Sequence, residues 1–358
     1  MNTRLLTLSE LLPENVDAAL IISNENRRYF TEFVSSLGYL LVTRKEAFLL
    51  VDFRYGEAAQ KKAKGCTVIT FQNFSETLQK LIRENYLHYI MLEGSTFTLN
   101  EAARTEAIIN EVNASAIKSA ELDKIISRMR IVKTAVEVDK IRQAQRITED
   151  ALTETLKLVK EGVTERDLAL ELEYKMRKMG ADGISFDLIT ITGKKTSMPH
   201  GVPGNETVKS GDFITFDIGA IVDGYHSDMT RTVALGGVDN EQMRVYNTVL
   251  QAQQNGLDAV REGVTCGFVD EAARSYIDQA GFQGCFGHST GHGVGLEIHE
   301  APAVSPKSDF VLKSGMVITV EPGIYIPNKF GVRIEDMVVV TKDGCINLAT
   351  MPKELIVL

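Results

Sequence analysis

The sequence predicts a two-domain chain mixing α and β structure: an N-terminal α/β unit, then a larger pseudo-twofold α+β domain. Three observations carry this prediction. A chain of 358 residues is longer than one core usually organises. Roughly the first 120 residues alternate short apolar strands with helical stretches. Further on the chain repeats itself: KSGDFITFDIG at 209–219 and KSGMVITVEPG at 313–323 share six identical positions. The expected boundaries are residues 1–120 for the first domain, 121–133 for a connecting helix and 134–358 for the second domain.

In the first domain, strands are expected at 19–23, 38–43, 47–52, 67–71 and 89–92, with helices at 55–64 and 74–84. Residues 121–133 are charged and helical in pattern, which suits a connector. Thr134-Ala-Val-Glu137 is a capping-box signature, and Val138, Ile141, Ala144, Ile147, Ala151 and Leu152 follow at helical spacing. VKEGVTERDLALELEYKMRKMG, ending at Gly180, then matches VREGVTCGFVDEAARSYIDQAG, ending at Gly281. Each copy reads as helix, Gly-Val-Thr turn, helix, glycine stop, loop and Lys-Ser-Gly strand pair. Even the histidines echo, with His200-Gly-Val-Pro203 before the first strand and His299-Glu-Ala-Pro302 before the second. Two copies are too few for a solenoid and fit a pseudo-twofold domain, with helices on one face of a largely antiparallel sheet.

Composition narrows the function. Apolar content of 44% and charged content of 24% are those of a soluble globular enzyme. A net charge of −9 argues against nucleic acid as a partner, because phosphate binding needs a basic face. No apolar run reaches the length of a membrane span, and no signal-peptide core is expected. Cys66, Cys266, Cys285 and Cys345 are far apart and form no CxxC pair, so they read as reduced thiols in a cytoplasmic protein.

The repeated phrase carries the chemistry. Each copy delivers a carboxylate, Asp217 or Glu321, at the end of an apolar strand, where a core residue is expected. A lone buried carboxylate is costly, so two matched ones imply a shared cation. A second acid follows each copy: Asp228 after the first and Glu335 after the second. Around an Asp223-Gly224 type I′ turn, Gly219 would face Asp228 and Asp217 would face Thr230. The two acids then share one face, with Cβ atoms roughly 7 Å apart. In the second half a strand at 317–321 is expected to stop at Pro322-Gly323. The return, 332–340, places Arg333 and Glu335 on one face, where the arginine can orient a carboxylate, and Asp336 on the other, where it makes a structural bond.

Histidine placement is the second signal. His200, His226, His288, His292 and His299 fall within one hundred residues, and Gly287–Glu300 (GHSTGHGVGLEIHE) is glycine-rich enough to bend several imidazoles to one point. His88 stands alone and is assigned nothing. Competing motifs fail: Gly291-His-Gly293-Val-Gly295 lacks the third glycine of a dinucleotide fingerprint, Gly193-Lys-Lys-Thr196 is no P-loop, and His299-Glu300 has no second histidine at Ala303 for an HExxH zinc site.

In order, FDIG, YHSDMTRT, GHGVGLEIHE, TVEPGIY and RIED resemble the pita-bread metallopeptidases: aminopeptidase P, prolidase and methionine aminopeptidase. SNENRRYFTEF and VDFRYGEAA resemble the N-terminal domain of creatinase, aminopeptidase P and prolidase, so the resemblance spans nearly the whole chain. It implies a creatinase-like domain followed by a pita-bread catalytic domain. It implies metal ligation by Asp217, Asp228, His292, Glu321 and Glu335, with Asp228 and Glu335 bridging two divalent ions. Mn²⁺ is expected, with Co²⁺ or Zn²⁺ substituting, and a carboxylate-rich set agrees on softness grounds. In the implied hydrolysis Glu321 accepts a proton, His299 and His288 steady the oxyanion, and His200 contacts substrate or passes a proton to the leaving nitrogen. Arg333 supports the carboxylates.

The creatinase-like domain disfavours methionine aminopeptidase, and a complete ligand set disfavours creatinase. That leaves cleavage before proline, whose ring and missing N–H exclude it from ordinary peptidase subsites. Some prolidases resembling this chain carry an arginine after HExP, where Ala303 stands here, so the sequence favours an Xaa-Pro aminopeptidase over the alternative, an Xaa-Pro dipeptidase (prolidase). A non-catalytic pita-bread binding module is the remaining alternative, disfavoured because no ligand is eroded. A homodimer is expected from the resemblance alone.

Overall fold

The N-terminal alternation resolves into a six-stranded mixed sheet in the computed structural model, which describes residues 1–358 and divides into units 1–129 and 130–358. In chain order the first unit contains α1 (Thr3–Leu11), β1 (Ala18–Ile21), α2 (Asn24–Thr31), β2 (Tyr39–Thr43), β3 (Ala47–Val51), α3 (Phe53–Lys62), β4 (Thr67–Thr70), α4 (Phe74–Glu84), β5 (Tyr89–Glu93), α5 (Leu99–Asn110) and β6 (Ser115–Ser119), with α6 (Glu121–Arg130) closing it. The sheet order is β4-β3-β2-β1-β5-β6. Neighbours β1–β2 and β2–β3 run antiparallel, whereas β3–β4, β1–β5 and β5–β6 are parallel and need crossovers, which α3 and α5 supply for two of them. All five expected strands form. The sequence reading missed β6, α1, α2 and α5. β6 is an edge strand with three of its five residues exposed and no apolar run. α5 did carry a signal, the Thr98/Glu101 capping box.

The second unit begins with α7 (Ala135–Leu156), α8 (Glu165–Lys178), β7 (Gly183–Ile184), β8 (Ile189–Thr192), β9 (Phe213–Ile218), β10 (Ala220–Val222), β11 (Tyr225–His226) and β12 (Met229–Ala234). The second half follows as α9 (Asn240–Ala259), α10 (Cys266–Ile277), β13 (Gly291–Gly293), β14 (Glu300–Val304), β15 (Val317–Val320), β16 (Gly323–Ile326), β17 (Phe330–Arg333), β18 (Asp336–Val340) and β19 (Cys345–Asn347). Every strand pair in this unit is antiparallel. Residues 130–133 pack within it: Val132 bridges Met316, and Lys133 N donates to Gly315 O at 2.8 Å.

The repeat is structural. Thr164 caps α8 and bridges Thr207; Thr265 caps α10 and bridges Val311. Gly211 (φ 89°) and Gly315 (φ 88°) turn the two Lys-Ser-Gly segments through a conformation that a side chain would strain. Each half has its own apolar cluster, around Leu168, Leu172 and Phe216 in the first and Val269, Ile318 and Val338 in the second. A third cluster joins Phe213 and Ala234 to α9, Ile324 and Val332.

The hairpin registers fix where the acids stand. β9 and β12 pair Asp217 with Thr230 and Ile218 with Met229, and Ser227 N donates to Ala220 O, so Gly219 lies opposite Asp228 as expected. Only glycine fits there, because a Cβ would lie 2.0 Å from Ser227 O. In the second half, the strand ends at Val320, just before Pro322-Gly323 as expected, and a separate two-stranded ladder starts at Gly323. β15–β18 pairing runs to Val320 opposite Asp336, β16–β17 resumes at Gly323 opposite Arg333, and the same register puts Glu321 opposite Glu335. The two following acids are therefore not repeat equivalents. Glu335 occupies the place of Thr230, and the place of Asp228 is taken by Arg333.

Equivalent residues meet where the hairpins touch. Thr230 Oγ1 donates to Glu335 Oε2 at 2.7 Å, and Arg231 pairs with Asp336 at 2.7 Å, both side chains at most 2% exposed. Asp336 also accepts from Gln253 and Asn347, the structural bond the sequence implied. Arg231→Met leaves this buried carboxylate short of its main partner and is expected to cost about 3–5 kcal/mol in urea denaturation. A loss under about 1 kcal/mol would show that Lys353, 3.4 Å away, takes over the charge.

Candidate metal centre

His292 sits at the middle of β13. Its flanking glycines serve close approach more than bending: a Cβ on Gly291 would lie 2.0 Å from Thr319 O, and one on Gly293 2.2 Å from Ala301 O. His292 N donates to Thr319 Oγ1 at 3.0 Å, and the ring Nδ1 lies 3.1 Å from Gly293 O. That carbonyl fixes the proton on Nδ1 and leaves the Nε2 lone pair aimed at the carboxylates. Nε2 is 3.4 Å from Glu321 Oε1 and 3.5 Å from Asp228 Oδ2. Burial pushes the His292 pKa down to about 4, so the ring is neutral at pH 7, as a ligand must be.

Asp228, His292 and Glu335 offer ligand atoms that all lie within 4.8 Å of one another. Burial raises the Asp228 carboxyl well above its ordinary range, and Asp217 and Glu321 push it further. Burial likewise raises Glu335, with Asp228, Glu321 and Asp217 adding to it. Burial lifts Glu321 to about 8, with Arg333 opposing and Asp217 adding. Thr319 Oγ1 donates to Glu321 Oε1 at 3.2 Å, and Glu321 N to Thr290 O at 2.8 Å.

Arg333 is the guanidinium among these acids. It donates to Asp217 Oδ2 at 2.6 Å, to Tyr325 Oη at 2.8 Å and to Thr230 Oγ1 at 3.1 Å. The carboxylate it grips is thus Asp217, across the hairpins, and not its own-strand neighbour Glu335. Asp217 Oδ1 is buried without a hydrogen-bond partner. Asp228, His292 and Glu335 meet within 4.8 Å, Glu321 stands 3.4 Å from His292 Nε2 and Asp217 keeps one orphaned buried oxygen, a donor set that suits divalent cations.

The remaining histidines divide. The His299 ring packs edge-on against His292, with centroids 4.4 Å apart. His288 Nδ1 lies 2.8 Å from Ser289 O, and its Nε2 lies 2.9 Å from Tyr325 Oη. Both nitrogens are engaged, and through Nε2 His288 contacts Tyr325. Burial lowers its pKa to about 4. His200 is exposed, next to Pro199, whose carbonyl accepts from Arg333 at 3.4 Å. Sequence reasoning missed Tyr325, Thr230 and Thr319, which hold the ligands in place. Their only signal was position beside the acids.

This donor set, carried on paired hairpins in a unit that follows an α/β unit in the chain, suits a metal-dependent peptidase. The chain belongs to metallopeptidase family M24: the family's model matches residues 139–342, and the Creatinase/Prolidase N-terminal domain model matches residues 4–132. It is a metallo-exopeptidase acting with divalent metal ions. An Xaa-Pro dipeptidase from Pyrococcus furiosus is 36% identical over 99% of this chain and 100% of its own. Among solved structures, an Xaa-Pro dipeptidase from Bacillus anthracis is similar with a TM-score of 0.95 and 38% identity, covering 99% of both chains. An X-Pro aminopeptidase from Thermotoga maritima gives 0.91 and 36%, covering 98% of this chain and 99% of that one.

Proposed function

We propose that the protein is an Xaa-Pro dipeptidase, cleaving the bond between an N-terminal residue and a C-terminal proline. The five-residue constellation of Asp217, Asp228, His292, Glu321 and Glu335 carries the hydrolytic reading. The dipeptidase choice rests on the relatives, among which full-length Xaa-Pro dipeptidases from two Pyrococcus species are 36% and 37% identical. They weigh more than the arginine missing at 303, which had favoured the aminopeptidase. Ala303 lies opposite His292 in the β13–β14 ladder, so an arginine there would reach the metal face; without one, another cation must read the substrate carboxylate.

Two divalent ions held by these five residues, Mn²⁺ first and Co²⁺ or Zn²⁺ as substitutes, would lower the pKa of water and polarise the scissile carbonyl. Glu321 takes up the proton that water loses on attack, since it is largely buried and aligned by Thr319. His299, beside His292, donates to the oxygen that gains charge. His200 is exposed at the rim and serves the leaving imino nitrogen or the substrate itself. Arg333 holds Asp217 in its ligating pose, and His288 steadies Arg333 through Tyr325. The reading further includes a cytoplasmic homodimer with neither nucleic acid nor membrane as partner. No helix is long and apolar enough to cross a membrane.

Steady-state kinetics on Xaa-Pro dipeptides and Xaa-Pro-Yaa tripeptides, with added Mn²⁺, test this. The dipeptides are expected to lead in kcat/KM by about tenfold or more, the worth of one good carboxylate contact. A tripeptide preference restores the aminopeptidase reading. No cleavage of either, in protein with empty sites by elemental analysis, leaves the binding-module alternative.

A further inference from the structure

A second buried charge cluster lies outside the metal ligands. Glu300, directly after His299, has a side chain only 7% exposed. Lys133 Nζ donates to its Oε2 at 2.9 Å, and Arg130 donates to its Oε1. Arg130 also pairs with Glu297 at 2.8 Å. Burial alone would raise the Glu300 carboxyl, but Lys133 and Arg130 outweigh it and hold the group below its ordinary range. A neutral cluster of this kind does not by itself stabilise a fold over an apolar one, so its geometry is the more informative property.

That geometry concerns one loop. Gly293 pairs with Glu300, His292 pairs with Ala303, and the chain between 293 and 300 folds back so that His299 meets His292. The Glu300 carboxylate fills the inside of this loop. It accepts from Glu297 N at 3.1 Å, and a Cβ on Gly295 would lie 2.7 Å from it. The exposed His299 ring takes its place from the backbone under it, and that backbone is wrapped on Glu300. Lys133 is itself fixed, its N–H on Gly315 O in the turn that feeds β15 and Glu321.

We propose that Arg130 and Lys133, acting through Glu300, position His299 against His292. They are positioning residues: none ligates metal or touches substrate. The segment at 130–133 is then part of the catalytic apparatus and not a neutral connector. This rests on the role given to His299 above, and the test separates the two.

The test is a double-mutant cycle in the full-length, metal-loaded protein between Lys133→Met and His299→Ala, with Glu300→Asp as a second probe that keeps the charge and shortens its reach. Lys133→Met is expected to lower kcat by about tenfold to a hundredfold, with KM changed far less and full metal content by elemental analysis. Combined with His299→Ala it should add under twofold, and Lys133→Arg should restore most of the rate. Glu300→Asp gives the same non-additive cycle if Lys133→Met does not fold. Losses that multiply, or a Lys133→Met enzyme within twofold of wild type, overturn the positioning role. An unimpaired His299→Ala enzyme removes the role of His299, and this inference with it.

Discussion

Chelated protein is expected to lose its peptidase activity and to become less stable as pH rises. Asp228 and Glu335 have folded pKa values raised well above the ordinary carboxylate range, and Glu321 rises to about 8. A group whose folded pKa exceeds its unfolded value binds more protons folded than unfolded, so its stabilisation is complete below about pH 4 and is lost as pH climbs through the folded pKa. Metal-free protein should therefore show a Tm that falls between about pH 5 and pH 8. Cations reverse the sign by favouring the ionised carboxylates, so reloading with Mn²⁺ should raise Tm most at the alkaline end. Thermal melts of chelated and reloaded protein across this window, with elemental analysis, provide the check. Full activity without metal, or a chelated Tm that rises with pH, would sink the metal reading.

Glu321→Gln is expected to remove about three orders of magnitude or more from kcat. The amide keeps the size of the side chain and can still accept from Thr319 Oγ1, but it cannot take up a proton and is a poor ligand beside Asp228 and His292. Both roles fail together, so metal content should drop along with the rate. Arg231→Met is the counterpart: it removes the partner of Asp336 on the opposite face and a 2.7 Å hydrogen bond to the Glu335 backbone carbonyl but no ligand atom, so stability should fall while bound metal is kept. A Glu321→Gln enzyme retaining a tenth of wild-type kcat would exclude Glu321 as the proton acceptor. Loss of metal from a folded Arg231→Met protein would show that the two faces are not independent.

Much of this was legible because local patterns left few choices. An Asp-Gly turn with alternating flanks fixes a two-residue hairpin, and the hairpin fixes that Asp217 faces Thr230. Repeats announce equivalent folds, so the matching Lys-Ser-Gly turns and threonine caps followed directly. Elements rich in polar residues, such as the largely buried α2 and the exposed edge strand β6, show no apolar run and were missed.

By itself the sequence determined the two-domain architecture, the duplicated hairpins and four candidate carboxylates, because each is written in or just after a short repeated phrase; His292 joined them only through the family resemblance. Tertiary structure alone decided how the halves differ at their meeting line. Glu335 replaces Thr230 and Arg333 replaces Asp228 in the repeat, so one guanidinium crosses between hairpins to Asp217. It also decided that Lys133 and Arg130 close on Glu300, more than 160 residues along the chain (|i−j| = 167 and 170). Contacts of that separation depend on how whole elements pack, and no local period records them.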